Sequence, residues 1–355
     1  MDIIDLRRIK PPDEIGALKK GVLFPVLAPL SGLYALAARV WRSTTPKVTD
    51  PGVPVISIGS ISVGGTGKTP LCMYVARKFA DRGTRVCILS RGYRRRSRRS
   101  PLAVSDGDRL LATVEEAGDE PFMMARRLPG VAVMVGKNRV EGALAARDLF
   151  SPELLVLDDG FQQRRIAKSA EVVCLDLASL KPGAALLPLG PLRERLSSIR
   201  EDHIVVILLR HGDTRPPPGD LKRLPSRNIF YAARSRPVFV DGGGKTLDTG
   251  IPAADRVAIV SGLARPAGFE KACIAAGVNA VVSIRFEDHH WYRREDIDKI
   301  KSVMDAGDCS SIATTEKDIY KMPAELAAMA VVIRADTEIE QAQSFWNVLE
   351  DKVRG

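Results

Sequence analysis

The hydrophobic pattern changes character at Val53. Ahead of it, residues 21–38 read GVLFPVLAPLSGLYALAA and carry no charge. Lys19 and Lys20 precede this run, and Arg39 and Arg42 follow it. A membrane-spanning helix needs about 20 predominantly apolar residues, and this run is interrupted by Pro25, Pro29, Ser31 and Gly32. A signal peptide fits poorly, because mostly polar residues come first and no clean small-residue cleavage site follows. Two readings stay open: a helix buried in the protein, or one lying in a membrane interface, where Tyr34, Trp41 and the flanking cations are well placed.

From Val53 onward, short apolar runs alternate with amphipathic stretches. Pro54–Gly59, Arg85–Ser90, Val131–Val135, Leu154–Asp158, Glu171–Asp176 and Ile204–Leu209 read as strands. Leu71–Asp81, Pro121–Leu128 and Asn138–Leu149 read as helices between them. Apolar, β-branched strands alternating with helices predict a parallel sheet covered on both faces. The Pro-rich stretch Arg215–Ser226 reads as a boundary. Phe230–Asp248 reads as two short strand-like pieces around Gly242–Gly244, a hairpin pattern. A second alternating region begins at Val257–Gly262 and closes with a helix over Ile339–Val353.

Composition narrows the class. Of the 355 residues, 45% are hydrophobic and 27% charged, which excludes global disorder and a collagen-like fibre. The five Cys form no C-x-x-C, so neither a disulfide framework nor a zinc site is expected. The net charge of +10 asks for an acidic partner, and it is concentrated. Residues 85–100 hold seven Arg and no acid, leaving +3 for the rest of the chain. The stretch Arg91–Arg99 reads RGYRRRSRR and suits an anionic lipid surface or a phosphorylated substrate. With aromatics at 5%, no nucleic-acid partner is expected.

The strongest motif follows the first of these strands: Ser62, Val63, Gly64, Gly65, Thr66, Gly67, Lys68 and Thr69. The P-loop pattern asks for Gly, four residues, then Gly-Lys-Ser/Thr, and here only the first position departs, as Ser62. Small residues let backbone N–H groups surround phosphates, and the following helix adds its positive end. Lys68 is expected on the β- and γ-phosphates, and the Thr69 hydroxyl on Mg²⁺. Asp158 and Asp159 close a buried strand as a Walker-B element does. Thr315-Glu316-Lys317-Asp318 has the residue types of a guanine-reading motif in the wrong order, so ATP is the expected nucleotide. These elements together predict an α/β fold: a P-loop NTPase-like parallel sheet domain, a second, smaller α/β domain and an N-terminal membrane-interface helical segment. The expected division is 1–48, 49–222, a hairpin linker over 223–255, and 256–355.

Three further constellations could carry chemistry. Gly118-Asp119-Glu120-Pro121 is either a helix cap or a carboxylate pair beside the nucleotide. Glu287-Asp288-His289-His290 holds half of the four His in the chain, just past a strand; it offers a His–carboxylate pair or an ordinary turn histidine. Gly190-Pro191-Leu192-Arg193-Glu194 sets a cation on a proline-fixed turn, for a phosphate or for a neighbouring acid.

In this order the motifs resemble the tetraacyldisaccharide 4'-kinase family of lipid A biosynthesis. The resemblance covers roughly residues 15–350 and rests on SVGGTGKTP, LSRGY, GDEP, LDDGFQ, LLPLGPLRE, SGLARP, FEDHHWY and TTEKD. It implies ATP- and Mg²⁺-dependent phosphorylation of the 4'-hydroxyl of tetraacyldisaccharide 1-phosphate. A peripheral enzyme on the cytoplasmic face of the inner membrane, acting as a monomer, is expected. Asp119 matches the family's catalytic base, working with His289. Lys68 and Asp159 join the catalytic set, and Thr69, Glu120 and Asp158 the metal set. Arg91 and Arg193 match basic positions near the phosphates or the substrate. The chain departs from the family's pattern at Gln163 (commonly His), Arg94 (commonly Gly) and Leu189 (commonly Ala). An alternative reading is a P-loop NTPase that binds nucleic acid or membrane through Arg91–Arg99.

Overall fold

The structure is a computed structural model that describes residues 1–7, 17–44, 46–210, 212–248 and 250–354, with the backbone alone for 17–23. Parts of the expected first segment, residues 8–16 and 45 and the side chains of Lys19 and Lys20, therefore lie outside the described residues.

The chain forms two compact units. The larger contains Pro12–Ala233 and Thr337–Gly355, the smaller Met1–Pro11 and Arg234–Asp336. This division differs from the one expected from the sequence. Asn228–Arg234 is a strand paired in parallel with Ile204–Leu209, so the stretch expected as a linker begins inside the larger sheet. The turn around Gly242–Gly244 does form. Val240 bridges Thr246, and Asp241 Oδ1 accepts N–H bonds from Gly243 and Lys245 at 2.9 Å.

The larger unit is built on a nine-stranded sheet. Its order is Thr337–Ile339, Asn228–Arg234, Ile204–Leu209, Ala170–Asp176, Val55–Gly59, Leu154–Asp158, Val86–Ser90, Ala132–Val135 and Leu102–Ser105. From Asn228–Arg234 to Ala132–Val135 every pairing is parallel, and Leu102–Ser105 joins antiparallel. The alternating pattern is legible because the inner strands are buried on both faces, as in Val55–Gly59 and Leu154–Asp158. The chain runs first to one side of Val55–Gly59, then returns to Leu154–Asp158 beside it and on to Ala170–Asp176 on its other side. Such a reversal opens a crevice at the carboxyl ends of the strands, where α/β ligands bind.

The smaller unit carries a six-stranded sheet in the order Asp2–Asp5, Ala280–Arg285, Val257–Ser261, Ser311–Thr314, Ala330–Arg334 and Val238–Val240. Only the last pairing is antiparallel. Asp2–Asp5 has too little apolar pattern to announce a strand. It forms because it completes an edge, in register with Val282–Arg285.

The apolar N-terminal run is the helix Ala17–Ser43 of the larger unit, with Pro25 and Pro29 inside it. Ser31 is buried, and Leu27, Ala28, Tyr34, Ala35 and Ala38 are half-buried, a helical spacing that marks one docked stripe. Phe24, Val26, Leu30, Leu33, Leu36, Val40 and Trp41 are exposed.

Candidate active site

The loop after Val55–Gly59 has the shape of a phosphate cradle. Gly67 has φ +76° and caps the helix Lys68–Ala80; a Cβ there would come within 2.9 Å of Leu208 Cδ2. Glycine is required both for the left-handed backbone and for the space. Val63 N donates to Pro191 O at 2.8 Å, and Arg193 N donates to Ile61 O at 2.7 Å. The loop is therefore clamped by Gly190–Glu194. Thr66 Oγ1 is buried without a hydrogen-bond partner, an open valence where a phosphate oxygen would be received.

At the start of the helix, Thr69 Oγ1 lies 3.3 Å from Glu120 Oε2 and 3.5 Å from Asp158 Oδ1. Ser90 Oγ donates to the other oxygen, Asp158 Oδ2, at 3.0 Å. One hydroxyl and two carboxylates thus converge from three separate elements. Burial, with the charges of Glu120 and Asp159, pushes the Asp158 carboxyl up from 3.8 to about 7. Crowded acids in a dry place are the condition a divalent cation relieves, and oxygen donors are the set Mg²⁺ prefers. The residues therefore fit Mg²⁺.

Asp159 sits in the left-handed region at φ +52° and points the other way. Burial acts to raise its carboxyl, but Lys68 and Arg193 outweigh it and hold it below the ordinary value. Its oxygens lie 3.6 Å from Lys68 Nζ and 3.0 Å from Arg193 Nη1. Arg193 also donates to Gln162 Oε1 at 3.2 Å, and Gln162 Nε2 donates to Glu194 Oε1 at 3.1 Å. Glu194 pairs with Arg42 of the N-terminal helix. Tyr34 and Ser31 of that helix donate to Arg193 O at 3.1 Å and Leu186 O at 3.0 Å. A continuous chain of polar contacts therefore runs from the exposed helix to Asp159.

Asp119 opens the helix Asp119–Arg127 and is only 4% exposed. The preceding Gly118 has φ +90° and packs against Tyr93 O, so the turn that presents Asp119 needs glycine. Arg91 follows the strand Val86–Ser90 and is exposed at the same sheet edge.

His289 belongs to the smaller unit. It has φ +62°, its N–H meets Gly262 O at 3.2 Å, and Nε2 lies 3.5 Å from Asp288. His290 is engaged in packing: it stacks on Phe286 at 4.6 Å and bonds Asp296 at 2.9 Å. Asp318, in the stretch weighed as a nucleotide-base reader, is fully buried and accepts from Gly262 N at 3.1 Å and from Thr315 Oγ1.

The larger unit thus brings together Thr69, Glu120 and Asp158, and separately Lys68, Asp159 and Arg193. Sequence reasoning missed Ser90, Gln162, Glu194 and Arg139 as members of this neighbourhood. Arg139 is 3% exposed, with Nη2 donating to Asp158 O at 3.2 Å. The signal for it was its place directly after a strand end, in Gly136-Lys137-Asn138-Arg139.

The family described as Tetraacyldisaccharide-1-P 4'-kinase matches residues 23–354. The chain belongs to the tetraacyldisaccharide 4'-kinase family. A tetraacyldisaccharide 4'-kinase of Anaeromyxobacter sp. (strain K) is 39% identical over 343 residues, covering 92% of this chain and 89% of the relative. The enzyme of that name from Geobacter sulfurreducens is 32% identical, with 92% of each chain covered. The crystal structure of LpxK from Aquifex aeolicus, in complex with ATP, superposes with a TM-score of 0.76 at 29% identity. It covers 94% of this chain and 99% of that one. The α/β architecture with its P-loop sheet is therefore that of this kinase family.

Proposed function

We propose that the protein transfers the γ-phosphoryl group of ATP to the 4'-hydroxyl of tetraacyldisaccharide 1-phosphate, at the cytoplasmic face of the inner membrane. The observation that carries the reading is the convergence of P-loop, Thr69, Glu120 and Asp158 at one sheet edge in a chain of this family. Lys68 and the loop amides hold the donor phosphates. Mg²⁺, when bound by Thr69, Asp158 and Glu120, supplies charge neutralisation on the phosphates. Among the described residues no three His, Cys, Asp or Glu side chains form a metal-holding group by themselves; Thr69, Asp158 and Glu120 would hold Mg²⁺ together with the nucleotide. Asp119 accepts the proton of the attacking hydroxyl. Arg193, oriented by Asp159 and Gln162, meets charge developing on the transferred group. His289 is assigned as the partner of Asp119 from the family resemblance. Positioning and electrostatics supply most of the rate.

The helix Ala17–Ser43 is proposed to lie in the membrane interface. Its stretch Phe24–Ser43 has 20 residues and mean hydropathy 1.2, about 30 Å of helix at 1.5 Å per residue. Length alone would allow a span. Ser31 and Tyr34, however, are bonded to protein carbonyls, so one side is docked and only the other meets lipid. The enzyme is proposed to act as a monomer, which light scattering in detergent tests.

The decisive assay is ³²P transfer from ATP to purified tetraacyldisaccharide 1-phosphate. Label on the 4'-position is the expected outcome; no transfer by folded protein refutes the reading. Asp119→Ala is expected to lower kcat by about 10²- to 10⁴-fold, the usual contribution of general-base catalysis. Unchanged kcat refutes that assignment alone.

A further inference from the structure

The motif Thr315-Glu316-Lys317-Asp318 holds a buried acid to which the proposed reaction gives no task. Thr315 caps the short helix Glu316–Ile319 just past the strand Ser311–Thr314. Asp318 is fully buried, and its Oδ1 lies 3.4 Å from Nζ of Lys321, whose side chain is buried as well. Thr315 Oγ1 donates to Asp318 Oδ2 at 2.6 Å. A buried ion pair pays a desolvation cost that its own attraction barely repays, so stability alone is a weak reason for it. What the carboxylate holds is more informative.

The same Oδ2 accepts the N–H of Gly262 at 3.1 Å, from a residue distant in sequence. Gly262 directly follows the strand Val257–Ser261, the parallel neighbour of Ser311–Thr314. Gly262 O in turn receives the N–H of His289 at 3.2 Å, and Ser261 O receives that of Phe286 at 2.9 Å. The turn that carries His289 is therefore bonded to Ser261 and Gly262. His289 has φ +62°, a left-handed conformation that a residue with a side chain keeps where its surroundings impose it. Space is short too: a Cβ on Gly262 would come within 2.9 Å of Asp318 Oδ1 and 3.0 Å of Glu287 O. Asp318, Gly262 and the His289 turn thus form one column of contacts inside the smaller unit.

We propose that Asp318 is a positioning residue for His289. It fixes the Gly262 peptide, and that peptide fixes the left-handed turn that carries the imidazole. The proposal rests on the reading of His289 as the partner of Asp119 in proton transfer. Thr315 and Lys321 hold the carboxylate in place. Without the carboxylate, the buried Gly262 N–H loses its acceptor and the turn is released to shift. The stretch weighed in the sequence as a base reader is, on this account, a support for the proton-transfer group.

Removing Asp318 alone would strand the Lys321 charge in the interior, so the test removes both charges together. D318L/K321M takes away the acceptor for the Gly262 N–H. D318N/K321M restores an acceptor of the same shape without the charges. The readout is ³²P transfer from ATP to tetraacyldisaccharide 1-phosphate. D318L/K321M should lower kcat by roughly 10- to 100-fold, the scale of a misplaced catalytic group, with KM for ATP and for the acceptor within about threefold of wild type. D318N/K321M should recover most of that loss. In an H289A background, D318L/K321M should cost no more than about a further threefold, because residues that act as a unit do not add. Unchanged kcat in D318L/K321M overturns the proposal. So does an equal loss in D318N/K321M, or the full loss repeated on top of H289A, since either makes the pair a general support of the fold. A loss that appears in KM for ATP gives the motif to the nucleotide and overturns it too. If D318L/K321M does not fold, G262A carries the same test, because it keeps the ion pair and pushes the peptide away from Asp318. Wild-type kcat in G262A then overturns the proposal. Failure of the underlying reading looks different: H289A by itself then keeps wild-type kcat, and the positioning role falls with it.

Discussion

Asp158 and Asp159 are neighbours in sequence and opposites in electrostatics. The first is pressed towards neutrality by burial and by nearby acids, the second is held ionised by Lys68 and Arg193. Environment rather than residue type sets the charge, as it does at His203. This side chain is 3% exposed, and burial, followed by Arg200, pushes its pKa from 6.5 down to about 4. Between those values the unfolded chain binds a proton that the folded chain refuses, so stability falls as pH drops from about 6.5 to about 4. At 1.36 kcal/mol per unit the contribution is at most on the order of 3 kcal/mol. His203→Asn keeps an acceptor for the Arg200 N–H, which Nδ1 receives at 3.2 Å, and removes the titration. Melting curves of wild type and H203N between pH 4 and 7 should therefore converge at the acid end; a constant gap refutes the account.

The N-terminal helix is the element where two demands meet. Its docked stripe supports the active site through Tyr34, Ser31 and Arg42, while its outer face leaves Leu33 64% and Leu36 59% exposed. Exposed apolar side chains in such a row mark an interaction surface, and the family's acyl-chain substrate makes a membrane the natural cover. Replacing both leucines, as L33E/L36E, puts two charges into that interface without touching the docked stripe. Flotation on vesicles containing anionic phospholipid should drop at least tenfold, with the melting temperature held within a few degrees. Wild-type flotation by this variant refutes the interfacial role.

At the scale of the whole molecule, neither unit is continuous in sequence. The smaller unit takes its edge strand from the N-terminus, and the final helix Ala342–Arg354 buries Phe345, Trp346 and Leu349 in the larger. Asp119 lies in the larger unit and His289 in the smaller. If both serve one proton transfer, their losses do not add. The double variant D119A/H289A should then be no slower in kcat than the worse single variant, within about threefold. Multiplicative losses would separate the two roles.

The local pattern by itself determined the alternating strands and helices, the P-loop with its glycines, and the acids at strand ends and helix starts. These rest on period, turn chemistry and short motifs, all local in the chain. The order of motifs was enough to place the chain in its family. Packing alone decided the rest. Asp2–Asp5 is a strand only because Ala280–Arg285 offers an edge. Asn228–Arg234 belongs to the larger sheet only because Ile204–Leu209 receives it. Arg139 reaches Asp158 from the start of a helix, and Gln162 and Glu194 join Arg193 and Asp159 from separate loops, at spacings set by the sheet. Contacts between residues distant in sequence leave no periodic trace, so these features became visible only in the folded chain.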